Sequence, residues 1–256
     1  MCIACIISLM SPINRLRLIL CIVFVASQVG SQPVGEAASA PLITIHSPGD
    51  GSLVTAPILL AADLQPGEDG LARVTLLTRE NILLARQLIY LKDKSAEDNE
   101  FITHLNFEIP TASTEALLIL ETQDAFHRPL SLRSVLLTLQ SEGEAAVHPN
   151  KPPKDWLTIL SPQPNADFSG GELLVSGTVS PLTESPLLFE LITENGGVIG
   201  SSQLAVAGKG SPFDFEFEMT YAFISSERDV RFVVRQSVDP YGTTVILDSL
   251  PLILAP

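Results

Sequence analysis

Several short segments alternate apolar and polar residues with a period of two, which is the pattern of a strand with one buried face. Residues 213–219, FDFEFEM, follow it strictly, because Phe213, Phe215 and Phe217 share one face and three acidic residues share the other. Such segments recur about every ten residues and are separated by proline, glycine and asparagine. The pattern therefore predicts an all-β chain of short strands.

One arrangement of strands occurs twice. Residues 43–64 and 157–179 each contain an apolar strand that ends in Ser-Pro, a polar turn and a second apolar strand. The copies are about 115 residues apart, which accommodates one immunoglobulin-like sandwich of about 100 residues and a linker. We predict two tandem immunoglobulin-like β-sandwich domains that follow an N-terminal signal segment.

Composition divides the 256 residues into four parts. Residues 1–40 are predicted to be a signal peptide with a short tail, and residues 41–140 the first sandwich. Residues 141–155 are polar, contain three prolines and are typical of an interdomain linker. Residues 156–256 are predicted to form the second sandwich.

Three local features make further predictions. Residues 116–121, ALLILE, lack alternation and predict a strand buried on both faces or a short helix; their length and the neighbouring strands favour the strand. Asn195-Gly196 predicts a type I′ hairpin, in which both central residues need positive φ. Pro251 lies in the last apolar strand and predicts that this strand is an edge or is bulged there.

The first forty residues have the composition of an export signal. Arg15 and Arg17 precede an apolar run at residues 18–26, and an A-x-A site lies at residues 38–40. A second candidate for cleavage lies at residues 29–31, and an uncleaved membrane anchor is the alternative to a cleaved signal. Translation from Met10 instead of Met1 would give a more usual signal length.

Charge and cysteine content exclude some classes of partner and of stabilisation. The formal net charge of −14 argues against nucleic acid and anionic membrane surfaces, which both need patches of lysine and arginine. It is compatible with a soluble exported domain or with weak cation binding. Cys2, Cys5 and Cys21 are the only cysteines, so the sandwiches contain no disulfide.

Common catalytic motifs are missing from the sequence. It contains no G-x-S-x-G, H-E-x-x-H, Walker A or EF-hand pattern, and residues 208–211 lack P-loop spacing and predict a hairpin loop. The histidines are scattered, and none has ligand spacing with a cysteine or another histidine: His46, His104, His127 and His148. We therefore predict a protein that is not an enzyme and needs no cofactor.

Acidic groups are the candidates for a metal site, because Ca²⁺ binds several oxygen ligands on a flexible loop. The best candidate is the charged loop at residues 92–100, with Asp93, Asp98 and Glu100 as ligands. Residues 63–69 are a second candidate, and the acidic face of residues 213–219 is a third, although its oxygens diverge. The favoured alternative at each is ordinary solvated charge.

Three aromatic residues are candidates for a binding platform: Phe126, Trp156 and Tyr241. A surface that binds sugars usually needs more than one exposed ring on a face. The favoured alternative is that Trp156 packs at the junction of linker and second sandwich, while Phe126 and Tyr241 cover the ends of the sandwiches.

The second half of the chain contains a series of turns and strands at residues 161–166, residues 174–178, Asn195-Gly196, the strand at 213–219 and the turn at 239–242. With this series it resembles the bacterial spore-germination-associated immunoglobulin-like domain. The first half resembles a diverged copy. The resemblance implies an exported bacterial envelope protein that binds or acts as a spacer, and it implies no catalytic residues.

These observations predict a non-catalytic envelope or extracellular protein that acts in binding or as a structural spacer. Its partner would be a protein or a cell-wall glycan, and it would contact a membrane only through an uncleaved N-terminal segment. The alternative is a carbohydrate-binding or Ca²⁺-dependent adhesion module, with its site in the loop at residues 92–100 or at the turns of Phe126 and Tyr241.

Overall fold

The computed structural model of the chain describes residues 42–91, 100–151, 156–222, 226, 228–238 and 242–256, all within the compact unit of residues 37–256. These residues form sixteen β-strands and no helix, so the predicted all-β class is confirmed. The described part of the chain accordingly contains no helix that could span a bilayer.

The first sandwich contains eight strands. They are β1 (Ile43–Ser47), β2 (Leu53–Thr55), β3 (Ile58–Leu64), β4 (Leu71–Thr78), β5 (Leu83–Tyr90), β6 (Glu100–Leu105), β7 (Ser113–Gln123) and β8 (Pro129–Gln140). A three-stranded sheet in the order β1-β3-β6 faces four strands in the order β5-β4-β7-β8, and β2 pairs with β8 in parallel. Aliphatic side chains fill the space between the sheets, among them Ile43, Leu60, Leu76, Leu118 and Leu137.

The second sandwich repeats this order. Its strands are β9 (Leu157–Ser161), β10 (Asp167–Phe168), β11 (Glu172–Val179), β12 (Leu187–Thr193), β13 (Val198–Leu204), β14 (Phe213–Thr220), β15 (Arg228–Val238) and β16 (Thr243–Leu254). The sheet β9-β11-β14 faces β13-β12-β15-β16, and β10 pairs with β16 in parallel. Two immunoglobulin-like sandwiches therefore follow one another along the chain.

The two four-stranded sheets are joined edge to edge. Strands β8 and β16 pair antiparallel at Ser131↔Asp248, Leu132↔Leu247 and Arg133↔Ile246. The result is one continuous sheet with eight strands in line, in the order β13-β12-β15-β16-β8-β7-β4-β5. Local sequence patterns did not predict this pairing.

Strand β7 is buried on both faces, as residues 116–121 predicted. Leu118 and Leu120 belong to the first core, whereas Leu117 and Ile119 alternate with them and point to the other face. Together with Leu132, these two residues belong to the second core cluster. The second core therefore extends across the junction onto the outer face of the first sandwich.

The predicted type I′ turn at Asn195-Gly196 is wrong. Gly196 has a φ of 79°, but Asn195 has a negative φ. The Gly196 amide donates to the Thr193 carbonyl and the Thr193 amide donates to the Gly197 carbonyl, both at 2.9 Å, which closes a three-residue loop. The Asn195 side chain accepts a hydrogen bond from the Gly197 amide at 3.3 Å within this loop. The three-residue loop is present in place of the predicted two-residue turn.

Pro251 lies in a strand that is interior for part of its length. It pairs with Arg231 of β15, but on its other side β16 meets β8 only at residues 246–248 and β10 only at residues 253–254. Pro251 thus lies between these two strand pairings, where its carbonyl accepts from the Asn165 amide at 2.7 Å and a missing amide proton is tolerated.

Candidate functional site

The carboxylate of Asp248 is the first of two polar centres at the junction. It accepts hydrogen bonds from Ser131 Oγ at 2.8 Å, from Arg133 Nη2 at 2.7 Å and Nη1 at 3.0 Å, and from the indole Nε1 of Trp156. The Arg133 guanidinium also donates to the Leu247 carbonyl at 2.9 Å. One carboxylate therefore connects β8, β16 and the start of the second sandwich.

The second polar centre is the buried carboxylate of Asp124. It accepts from Arg128 Nε at 2.6 Å and from Arg231 Nε, in the second sandwich, at 3.1 Å. Arg231 Nη2 also contacts Glu68 at 3.3 Å, and Arg128 Nη1 donates to the Ile192 carbonyl at 3.3 Å. Charged groups from both sandwiches are thus paired across the junction.

These pairs set the charge state of the second centre. Burial favours the neutral acid, but hydrogen bonds from Arg128 and the positive charges of Arg128 and Arg231 outweigh burial and hold the pKa of Asp124 below its ordinary value. Burial lowers the pKa of Arg231, and the adjacent Asp124 carboxylate opposes that shift. The centre is therefore an ion pair across the physiological pH range.

A cleft of about 760 Å³ lies where β8 and β16 diverge beyond their pairing. One wall comes from β1 and β8 of the first sandwich, and the other comes from β16 and the loops next to it. Its apolar lining includes Leu117, Leu136, Trp156, Leu182, Val238 and Val245. A cleft of this size with mostly apolar walls and a few polar groups is typical of a ligand site.

Positive side chains predominate among the charged residues of the cleft. Arg133 is neutralised by Asp248, and Arg79 pairs with Glu115 at 2.8 Å. Lys151 and Lys209 also line the cleft, and neither forms an ion pair within the described ranges.

Several other polar groups of the cleft form hydrogen bonds or ion pairs. The Asp50 carboxylate accepts from the Leu136 amide at 2.8 Å. Asn150 Nδ2 donates to the Ile45 carbonyl at 2.9 Å, and Ser134 Oγ donates to the Val245 carbonyl at 2.9 Å. His46, at the rim, contacts Asp63 at 2.8 Å.

Two of the three predicted aromatic residues are described by the structure, and they do not line a common cleft. Trp156 is only 4% exposed and lies in the wall of the cleft, which corresponds to packing at the junction. Phe126 is 47% exposed and its ring lies 5.2 Å from the guanidinium carbon of Arg128, but it does not line the cleft. Tyr241 lies outside the described residues, so its predicted role stays a prediction.

The predicted calcium loop is mostly outside the described residues. Asp93 and Asp98 belong to the undescribed segment, and Glu100 opens β6 opposite Asp63 of β3. Within the described ranges, no three His, Cys, Asp or Glu side chains are placed to hold a metal ion. A calcium site at residues 92–100 stays a prediction.

Sequence reasoning missed most of the cleft. Lys151 lies in the segment interpreted as a linker, and Lys209 lies in the loop that was predicted to be a plain hairpin connection. Trp156 was singled out beforehand as an aromatic candidate at the junction of the proline-containing linker and the second sandwich. The lysines carried no signal of their own, since their neighbours in the cleft are distant in sequence.

Comparison with known proteins finds no matching protein-family model and no matching curated protein. The resemblance to the spore-germination-associated domain therefore stays a prediction.

Among solved structures, the chain is similar to dimeric latent PorU from Porphyromonas gingivalis, with 12% identity and a TM-score of 0.27 over 86% of this chain and 20% of that chain. The chain thus spans about a fifth of PorU. It is also similar to the Salmonella enterica SafA pilin in complex with the SafB chaperone, with 12% identity and a TM-score of 0.26 over 86% of this chain and 99% of that chain. A chimeric titin Z1Z2-Z1Z2 tandem has 11% identity and a TM-score of 0.24 over 84% and 100%. At these values the likenesses carry no argument about function.

Proposed function

We propose that this chain is a non-catalytic exported protein whose two sandwiches act as one rigid body and hold a ligand in the cleft between them. The observation that carries the proposal is the cleft itself, because both sandwiches contribute its walls. A ligand there would contact residues on both sides of the junction, such as Leu136 and Leu182.

The junction supports the rigidity that such a site needs. The Asp248 and Asp124 centres hold the two sandwiches by hydrogen bonds and ion pairs, and Leu117, Ile119 and Leu132 add apolar contacts. A cleft whose walls are held before binding loses little conformational entropy when it is filled. The distance between the two walls is therefore already set in the protein without ligand.

A role in binding without catalysis is supported by the polar groups of the cleft. The carboxylate of Asp50 caps a backbone amide, and Asn150 and Ser134 donate to backbone carbonyls. These three groups are bonded to the backbone and hold the structure of the walls. Export is supported by the signal-like segment at residues 1–40.

The chemistry of the cleft favours an apolar ligand over a glycan. A glycan site would need exposed rings, whereas the ring of Trp156 is buried and the other lining side chains are mostly aliphatic. Of the two partners expected from the sequence, a protein with an apolar segment suits these walls better than a cell-wall glycan, and an apolar small molecule suits them as well.

Two measurements on the same samples test the proposal. Thermal unfolding is followed against a panel of divalent cations, glycans, peptidoglycan fragments and small amphiphiles, because a ligand that binds only the folded state raises the midpoint. Trp156, the single tryptophan, reports on the cleft by its fluorescence. We expect one class to raise the midpoint and change the emission together.

Other results would contradict the proposal. A ligand that raises the midpoint and leaves the Trp156 emission unchanged would place binding outside the cleft. A panel in which neither quantity changes would favour a structural spacer.

A further inference from the structure

The charge of the cleft is opposite to the charge of the chain. The whole sequence has 29 acidic and 15 basic residues, so acidic side chains predominate about two to one. The cleft is lined by Arg79, Arg133, Lys151 and Lys209 and by a single acidic residue, Asp50. A local excess of positive charge on an acidic protein attracts an anionic group to this position.

Two of the four positive charges are available to a ligand. Arg133 is held by Asp248 and Arg79 by Glu115. Lys151 and Lys209 are exposed and have no ion pair within the part of the chain that the structure describes. They lie in different parts of the chain, one after the first sandwich and the other between β13 and β14, and both line the same cleft.

Apolar surface lies beside these lysines. Leu136, Leu182 and Val238 are partly exposed in the cleft, and Leu117, Val245 and Ile246 are buried behind them. An aliphatic chain would displace water from these side chains, which is favourable in proportion to the apolar area covered. The site thus combines apolar walls with cations at its rim.

We infer that the cleft binds an aliphatic carboxylate, with its hydrocarbon chain against the apolar walls and its carboxylate at Lys151 and Lys209. This inference rests on the proposed function, because it names the ligand class of the same cleft. A long-chain amine lacks the negative charge, and a glycan lacks the apolar body. A carboxylate with an aliphatic chain meets both requirements.

The test uses protein recovered from cells that express the full chain, with decanoate as the probe below its micellar concentration. Binding is titrated by the fluorescence of Trp156. Decyltrimethylammonium and decanol have the same chain with a positive or an uncharged head. We expect saturable binding of decanoate and at least about tenfold weaker binding of decyltrimethylammonium, since a charge-assisted hydrogen bond is worth about that factor.

A double variant identifies the residues. Lys151→Gln/Lys209→Gln is expected to weaken decanoate binding about tenfold and to leave decanol binding unchanged. The control Arg86→Gln/Arg228→Gln removes the same charge from exposed positions on β5 and β15 that do not line the cleft, so it is expected to bind decanoate like the unmodified protein. The melting midpoint of each variant verifies that it is folded.

The outcomes separate this inference from the proposed function. Equal binding of the three decyl probes, or decanoate binding that the lysine variant does not weaken, overturns the carboxylate inference and leaves a cleft that binds apolar molecules. No change in Trp156 emission with any decyl probe also overturns the inference. The proposed function falls with it only if the wider panel of cations, glycans and peptidoglycan fragments is silent as well.

Discussion

At the scale of single residues, the junction depends on one carboxylate that serves three partners. Asp248 accepts from Ser131, Arg133 and Trp156, so its removal leaves an arginine and an indole without their acceptor in a partly buried position. Loss of one partner of a buried ion pair is costly because the other charge remains desolvated.

We expect Asp248→Ala to lower the free energy of unfolding by about 2–3 kcal/mol, less than for a fully buried pair, since Asp248 retains some exposure. Urea denaturation measures the change. Asp214→Ala is the control, because Asp214 lies on an exposed face of β14 and its carboxylate accepts from the Thr178 hydroxyl alone among the described residues. Its effect is expected to stay within about 0.5 kcal/mol. Equal losses of unfolding free energy in the two variants would contradict the role of Asp248 at the junction.

The second centre predicts a dependence on pH. The pKa of Asp124 is lower in the folded protein than the value of about 3.9 in an unfolded chain. Its ionised form therefore contributes stability that is present above about pH 4 and is lost as the pH falls through the folded pKa. We expect Asp124→Asn to be less stable at pH 7 and to lose less stability than the unmodified protein between pH 5 and pH 3. Parallel curves of unfolding free energy against pH would exclude this role.

The ionised carboxylate of Glu121 is expected to lower the stability of the folded protein, whereas that of Asp124 raises it. Burial raises the pKa of its carboxyl, and the charges of Arg73 and Arg86 reduce but do not cancel that effect. Ionisation of Glu121 therefore costs stability in the folded state, and this cost appears as the pH rises through the unfolded and then the folded pKa. We expect Glu121→Gln to be more stable than the unmodified protein at pH 7, with the gain shrinking toward pH 4. A constant gain across this range would contradict the assignment.

At the scale of strands, the sequence pattern was most informative where one strand faces one core. Residues 213–219 were predicted as a strand and correspond to nearly all of β14. The unbroken apolar run in β7 correctly indicated burial on two faces. It could not indicate what covers the second face, because periodicity records burial and not the identity of the neighbour.

The sequence pattern did not predict the short strands or the long-range pairings, for a different reason. Strands β2 and β10 contain three and two residues, too few for a period of two to be recognised. The pairing of β8 with β16 joins residues more than a hundred positions apart, and its decisive contacts lie between Arg133, Asp248 and Trp156. No local pattern marks such partners.

Strand β11 contains a position that only glycine fits. A Cβ atom on Gly177 would lie 2.2 Å from the Thr158 carbonyl oxygen of β9 and 2.9 Å from the ring of Phe215. A backbone atom cannot move aside without disturbing the pairing of β9 with β11. We expect Gly177→Ala to lower the free energy of unfolding by about 1–3 kcal/mol, as overpacking does.

Urea denaturation measures this effect, with Ser176→Ala as a neighbouring control that adds no atom and is expected to change stability by no more than about 0.5 kcal/mol. Hydrogen exchange adds a local readout. The backbone amides near Thr158 are expected to exchange faster if β9 is displaced. Unchanged stability of Gly177→Ala would mean that β9 shifts freely.

At the scale of the whole molecule, the two sandwiches share a core as well as a sheet. Leu132 belongs to the first sandwich by sequence and to the second core by contact. We expect a single unfolding transition, with equal calorimetric and van't Hoff enthalpies. Leu132→Ala should shift that whole transition by about 2–4 kcal/mol.

Independent sandwiches would behave differently. They would give two transitions, and Leu132→Ala would move only one of them. Leu174→Ala is a matched control, because Leu174 has the same side chain but lies exposed on β11. Its effect is expected to stay within about 0.5 kcal/mol.

The pairing of β8 with β16 also determines how chains would associate if their two sandwiches separated at this junction. Arg133 and Asp248 form their ion pair only when β8 meets β16, so two β8 edges or two β16 edges that paired with each other would lack it. An opened chain thus exposes two unlike strand edges, one on β8 and one on β16. Each edge can pair with the opposite edge of another opened chain. Such chains would exchange halves to close a swapped dimer or would add head to tail without limit, and the junction closed within one chain occupies the two strand edges that either assembly needs.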